Sequence, residues 1–392
     1  DHVQELVLDT INGLLDQVLE RQGAQAEDVY AMTVSGNPTM IHLFLGLDPQ
    51  YIRLEPYVPT MNHTPPIPAG MVRIHGKGLH MNPEGTVDCL PGVGAYVGAD
   101  ITAGVLRSGM TEQQGIALFI DVGTNGEMVL GNADWLISCD CSAGPAFEGS
   151  GVASGLRATA GAIQEVWINR ETAEPTFSTI GDQPPKGICG SGMISLLGEM
   201  FITGVIDKSG HLNQSLATGA PDACVRGGAN GSEYVVAWAS EADADGADVV
   251  ITEVDIQNLL RAKAAIYAGV EVLLDSVGLG LSDLERVLIG GAFGQYIDVE
   301  KAIDIGLLPD VPWGRVEYLG NTSIQGAYLC LLCGTHRAMA PEIGTTMTYL
   351  ELSADNRFMD AFTSALFLPH TDLDRFPTVR AKLLQSAESL AG

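Results

Sequence analysis

No window of this 392-residue chain holds the about 18 uninterrupted apolar residues that a membrane-crossing helix needs, so the sequence predicts no membrane span. Basic residues are scarce: 20 Lys and Arg stand against 48 Asp and Glu, a net charge of −28. Phosphate backbones demand clustered Lys and Arg, so nucleic acid is excluded as a partner. The acidic excess reads as a solvated surface, with a basic partner face as the alternative. Seven cysteines, an odd number, do not suggest a disulfide framework, and the protein reads as cytoplasmic. None of the eight histidines forms a metal-spaced pair. No Ser-His-Asp arrangement and no G-x-S-x-G elbow between strand and helix is visible, which sets aside hydrolases and proteases of those types. Neither an initiator Met nor a signal peptide precedes Asp1, and the start reads as the cut end of a longer protein.

The cysteine pairs are equally spare. Cys139 and Cys141 form C-x-C, and Cys330 and Cys333 form C-x-x-C inside the apolar, helix-like GAYLCLLCGTH. Small buried thiols are the ordinary reading there. A four-thiolate cluster needs more ligands than either pair supplies.

What is present is apolar weight and glycine: 46% apolar residues and 47 Gly, with only 6% aromatics. That mix suits a glycine-cornered α/β protein of two or three domains. A weak internal repeat organises it. Ile11, Leu19, Asp28 and Gly36 are spaced like Ile266, Leu274, Asp283 and Gly291, by 8, 9 and 8 residues in both. Each copy reads helix, spacer, strand, glycine corner, and the pair suggests gene duplication into two similar lobes across a cleft. The second helix carries Ile256, Leu259, Leu260, Lys263, Tyr267, Val270, Leu274 and Val277 at helical spacing, with Thr252 and Asp255 as a capping box. RVLIGG reads as a buried strand. A helix is predicted around 194–206 and another after residue 320, with strands at EYVVAW (233–238) and MTYLEL (347–352). Residues 57–88 read as a long irregular connection and 207–250 as a polar, turn-rich stretch.

Residues 117–130, ALFIDVGTNGEMVL, pose the chemical question. Asn125-Gly126 alone signals a plain hairpin. Alternatively, backbone N–H groups at Gly123, Thr124, Asn125 and Gly126 cradle a phosphate, with the Thr124 hydroxyl as a further donor. Asp121 would then face hydrated Mg²⁺ or orient the attacking water, with Glu127 near the same hydration shell. A second corner, Gly290, Gly291, Ala292 and Gly294, offers flat backbone to a ribose or adenine, or simply close packing. A third, Gly190, Ser191 and Gly192, opens a helix whose N–H groups favour an anion. The small-residue stretch 141–163 embeds Glu148 and Arg157 and either packs between lobes or lines the nucleotide cleft. Lys263 and Arg261 either reach a nucleotide or snorkel to solvent.

Acid-ended glycine hairpin, long insertion, helix and Gly-Gly strand in duplicated halves together resemble the ASKHA superfamily of acetate and sugar kinases, heat-shock chaperone ATPases and actin. That resemblance implies an α/β fold of two duplicated RNase H-like lobes facing a nucleotide cleft, with the first lobe incomplete at its N-terminus. The implied domains are 1–115, the incomplete first lobe and a connection; 116–320, the second lobe with an insertion around 165–250; and 321–392, a C-terminal helix and strand.

IDVGTNGE, CSAGPAFEG, GLRATAGAI, GICGSG, AKAAIYAG, IGGAFGQYID, GLLPD and GNTSIQGA together resemble the ATP-dependent reductive activators of corrinoid proteins, over nearly the whole chain. The resemblance implies ATP and Mg²⁺ as ligands and a corrinoid (cobalamin-binding) protein of a methyltransferase system as partner. It further implies an ATPase role in returning Co(II) to Co(I), with Asp121, Glu127 and Glu148 as catalytic candidates. A homodimer is one candidate assembly. The family's N-terminal [2Fe–2S] domain, linker and small middle domain are all expected to be missing from this chain. Two rival readings stay open: a small-molecule kinase of the same superfamily, and a non-catalytic docking module. TNGE departs from the TT-plus-basic pattern of stronger kinases, which weakens the expected grip on ATP.

Overall fold

The computed structural model describes residues 2–391, apart from 221, 230 and 292–296. In chain order, α1 (His2–Gln22), β1 (Ala31–Val34) and α2 (Pro38–Leu45) come first. Four short strands follow, β2 (Ile67–Pro68), β3 (Arg73–Ile74), β4 (Lys77–Gly78) and β5 (Thr86–Cys89), then α3 (Ala99–Ser108). Next are β6 (Ala117–Val122), β7 (Gly126–Gly131) and β8 (Leu136–Cys141), then β9 (Ala162–Ile168), β10 (Pro175–Thr179), β11 (Gly187–Ile188) and α4 (Gly190–Thr203). β12 (Val225–Gly228), β13 (Gly231–Ala237) and β14 (Val249–Thr252) lead into α5 (Glu253–Ser276), β15 (Arg286–Gly290), α6 (Val299–Asp304) and β16 (Val316–Gly320). The chain ends with α7 (Thr322–Leu332), α8 (Gly334–Thr346), β17 (Met347–Tyr349), α9 (Asn356–Ala365) and α10 (Pro377–Ala391). Among the described residues no helix is long and apolar enough to cross a membrane.

The chain divides into two compact units: residues 1–121, 129–139 and 321–350 form the first, and 122–128, 140–320 and 351–392 the second. Strands β6, β7 and β8 are consecutive neighbours in a six-stranded sheet of order β16-β15-β6-β7-β8-β17. Leu118, Phe119 and Ile120 on β6 have no exposed surface, which is why their run is continuously apolar rather than alternating.

In the first unit, β5 is the centre of a three-stranded sheet, parallel to β1 and antiparallel to β2. The predicted irregular connection at 57–88 therefore holds a central strand. Its four residues, TVDC, are too few and too mixed to show a period of their own. Leu8 from α1, Phe44 from α2, and Val87 and Cys89 from β5 share its core.

In the second unit α5 is enclosed through its middle, where residues 262–270 are all buried, while Val254, Arg261 and Asp275 are exposed. The predicted face from Ile256 to Leu274 is buried, and so are Ala264, Ala265 and Ala268 around it. Thr252 caps the helix: its hydroxyl accepts from the Asp255 amide, and the Asp255 carboxylate accepts from the Thr252 amide at 2.9 Å. α4 begins four residues before its predicted start at 194 and stops at Gly204, which takes the left-handed conformation at φ 79°.

The repeat survives at the level of single hydrogen bonds. Each copy gives a helix, a 3₁₀ turn and a strand: α1, Ala26–Asp28, β1, and α5, Leu281–Asp283, β15. Asp28 accepts from the Gln25 amide at 2.9 Å, and Asp283 accepts from the Gly280 amide at 2.8 Å. The two glycines then differ. Gly291 sits at φ 88°, whereas Gly36 has no positive φ and ordinary space around a Cβ.

Candidate functional site

Asp121 lies in the first unit, one residue before the end of β6. The Thr322 hydroxyl, at the first position of α7, approaches its Oδ2 at 3.5 Å. Burial first, and then the nearby Asp100 carboxylate, push Asp121 up to about 6 from an ordinary 3.8. Asp100, near the start of α3, is itself raised by burial, against the Ile101 amide that donates to it at 3.1 Å. Ser35, just past β1, donates to the Ala99 carbonyl at 3.1 Å and lies 2.9 Å from the Ser323 hydroxyl. These bonds bring the end of β1 together with the starts of α3 and α7, near Asp121.

The glycine corner belongs to the second unit. Gly123, Thr124 and Asn125 form the turn, and Gly126 is already the first residue of β7. The left-handed conformation that an Asn-Gly hairpin turn calls for is absent, because neither Asn125 nor Gly126 has positive φ. The Gly123 amide donates to Asn125 O at 2.9 Å, within the turn itself. Thr124 is exposed, and its hydroxyl donates to Glu148 Oε1 at 2.8 Å. Glu148 ends the 3₁₀ turn Pro145–Glu148 and is exposed. Glu127 sits on β7 and helps to raise the buried Cys141 thiol, after burial itself.

Glycine serves two different purposes here. At Gly126 a Cβ would stand 2.9 Å from Cys141 Sγ and 3.0 Å from Ile266 Cγ1, so packing demands its absence. At Gly123 the nearest atoms to a Cβ would be Asn125 O at 3.8 Å and Glu148 Oε1 at 4.0 Å. Neither φ nor crowding requires glycine at 123.

The remaining predicted residues fare differently. Gly190, Ser191 and Gly192 do open α4, yet that end is buried. Gly192 answers to packing, because a Cβ there would lie 2.2 Å from Ile163 O. Lys263 does not reach outward as expected. It has no exposed surface, and its Nζ donates to Phe367 O at 2.5 Å and Pro369 O at 2.7 Å. Burial holds its pKa well below the usual lysine value. The physical reason is its position in the enclosed middle of α5. Gly290 ends β15, and Ala292 and Gly294 lie outside the described residues. Sequence reasoning missed Asp100 and Thr322. GNTSIQGA contains Thr322, but only the fold brings it to Asp121 across 201 positions.

Residues 115–380 match the family model for the C-terminal domain of RACo, the ASKHA domain. The chain belongs to the RACo family. Residues 1–113 match the model for the RACo middle region, which corrects the expectation that no middle domain is present. The α/β ASKHA fold read from the motifs is thus the fold of this chain. Among RACo-like proteins, the chain is 36% identical over 364 residues to the "Corrinoid activation enzyme RamQ" of Eubacterium limosum, across 92% of this chain and 60% of that protein. It is 30% identical over 254 residues to the "[Co(II) methylated amine-specific corrinoid protein] reductase" of Methanosarcina barkeri, across 60% of this chain and 42% of that protein. A solved structure titled "Reductive activator for corrinoid,iron-sulfur protein" superposes with a TM-score of 0.85 at 49% identity, over 96% of this chain and 58% of that one. The chain therefore spans 60% or less of the length of each of these relatives.

Proposed function

We propose that this chain is the nucleotide-handling and partner-docking part of an ATP-dependent activator that returns a Co(II) corrinoid protein to Co(I). The corrinoid protein belongs to a methyltransferase system, and the work is cytoplasmic. The electron comes from an iron–sulfur centre outside these residues.

The observation that carries the reading is Asp121. A carboxylate raised to about 6 by burial and by Asp100 has no compensating positive charge among the described residues, and a divalent cation would supply it. The donor set suits magnesium, which is held by one or two carboxylates together with water and phosphate oxygens. Gly123 adds support, because its open face is free of any packing demand and leaves room for a phosphate oxygen. Bound MgATP supplies a phosphoanhydride whose hydrolysis can be coupled to a conformational preference. Asp121 would orient the attacking water or the metal's water shell. The Thr124 hydroxyl and the corner backbone beyond the Gly123 amide would hold phosphate oxygens, with the cation keeping Glu148 beside them. The relatives named above, two of which act on corrinoid proteins by their titles, support the choice of partner.

The test is ATP turnover by the purified chain with and without a Co(II) corrinoid protein. The corrinoid protein is expected to stimulate turnover, and Asp121→Asn to remove at least about a hundredfold of it. Absence of both stimulation and binding would overturn the proposal.

A further inference from the structure

The C-x-x-C pair takes no part in the site above. Cys330 lies in the last turn of α7 with no exposed surface, as expected, whereas Cys333 is half-exposed, against the expectation of two buried thiols. Cys333 closes α7 and opens α8. Its amide still donates to Leu329 O at 2.9 Å, so the two cysteines stand one helical turn apart. That spacing places Cβ atoms roughly 5–6 Å from each other. A disulfide wants about 3.5–4.5 Å.

The junction can supply the missing approach. Cys333 has left the helical region, at φ −130° and ψ 118°, and a Cβ placed on Gly334 would meet nothing within 4 Å. Cys330 Sγ faces the same junction, 3.7 Å from His336 O. The environments also divide the labour. The His336 and Thr335 amides at the start of α8 hold the Cys333 thiol below its ordinary value. Burial and then Asp88 push Cys330 up to about 11. Among the described residues no group of three or more His, Cys, Asp and Glu is placed to hold a metal, so a ligand role does not account for the pair.

We propose that Cys330 and Cys333 are a reversible thiol–disulfide pair, with half-exposed Cys333 attacking an external disulfide of the glutathione class and buried Cys330 resolving it. In the first step the Cys333 thiolate bonds to one sulfur of oxidised glutathione and expels the other as glutathione thiolate. In the second, Cys330 gives its proton to solvent and attacks Cys333 Sγ, which releases the second glutathione. The protein dithiol loses two electrons and two protons, and one oxidised glutathione becomes two reduced ones. The pair needs neither nucleotide nor corrinoid, so this inference stands or falls apart from the proposed function.

The folded chain is incubated with oxidised glutathione, blocked with a thiol alkylator under denaturing conditions, and cleaved with trypsin. The peptide Val316–Arg337 contains both cysteines and no other. In most of the protein it is expected to carry no alkyl group and to be lighter than the dithiol form by two hydrogens, a loss reversed by dithiothreitol. Cys330→Ser is expected to stop at a glutathione adduct on Cys333. Doubly alkylated wild-type peptide, or a lasting glutathione adduct in the wild type, would overturn the proposal. The wild-type readout needs no variant to fold.

Discussion

Thr124 Oγ1 donates to Glu148 Oε1 across 2.8 Å, so a carboxylate holds the hydroxyl that the glycine corner would turn toward a phosphate. A phosphate and a carboxylate compete for one donor, and only a cation between them lets both stay. Glu148→Gln keeps the shape and removes the charge at an exposed position, so folding is expected to be unchanged. On the proposed function, affinity for MgATP drops about tenfold, near 1.4 kcal/mol. Titration calorimetry at fixed magnesium checks it, and an unchanged affinity would make the Thr124–Glu148 contact a surface detail.

Asp121 links stability to pH with a definite sign. The folded state keeps its proton up to about 6, the unfolded state only to its ordinary 3.8. Between those values the folded state binds more protons, so stability falls as pH rises through the window and is level above it. Asp121→Asn cannot ionise and is expected to melt higher than the wild type above pH 6, and about equally below pH 4. It loses turnover at the same time. A lower melting temperature at neutral pH would mean that Asp121 is structurally paired after all.

The two corner glycines separate folding from binding. Gly126→Ala would crowd Cys141 and Ile266, and about 1–3 kcal/mol of stability should go, seen in denaturant titration. Gly123→Ala has the room it needs and should fold normally. Its effect is expected in nucleotide affinity alone.

Lys263→Met tests the buried amine. The unfolded state takes up a proton that the folded state resists, so wild-type stability should fall as pH drops from about 10 toward 7. The variant should lack that slope. At pH 10 it should be less stable by about 2 kcal/mol, because the Phe367 and Pro369 carbonyls lose their donor. Chemical denaturation at the two pH values measures both.

The elements most open to sequence reasoning were those whose pattern repeats within one segment. α5 announced its buried face through Ile256, Leu259 and Leu260, and its start through Thr252 and Asp255. The duplicated spacing extended even to matching Asp28 and Asp283 hydrogen bonds. β5 escaped notice because four residues cannot display a period, although it is the centre of its sheet. Lys263 misled because helical spacing says which face a residue occupies, not whether that face meets water or the carbonyls of residues 367 and 369.

Local order along the chain, set by spacing, caps and glycine, already carried the strand that bears Asp121, the corner after it and the family to which the motifs belong. Folding alone supplied Asp100 and Thr322 beside Asp121, and the open face at Gly123 in contrast to the crowded one at Gly126. Those features arise between residues far apart in the chain. A side chain's charge state and free space depend on what packs against it, and that neighbour is chosen only when the whole core closes.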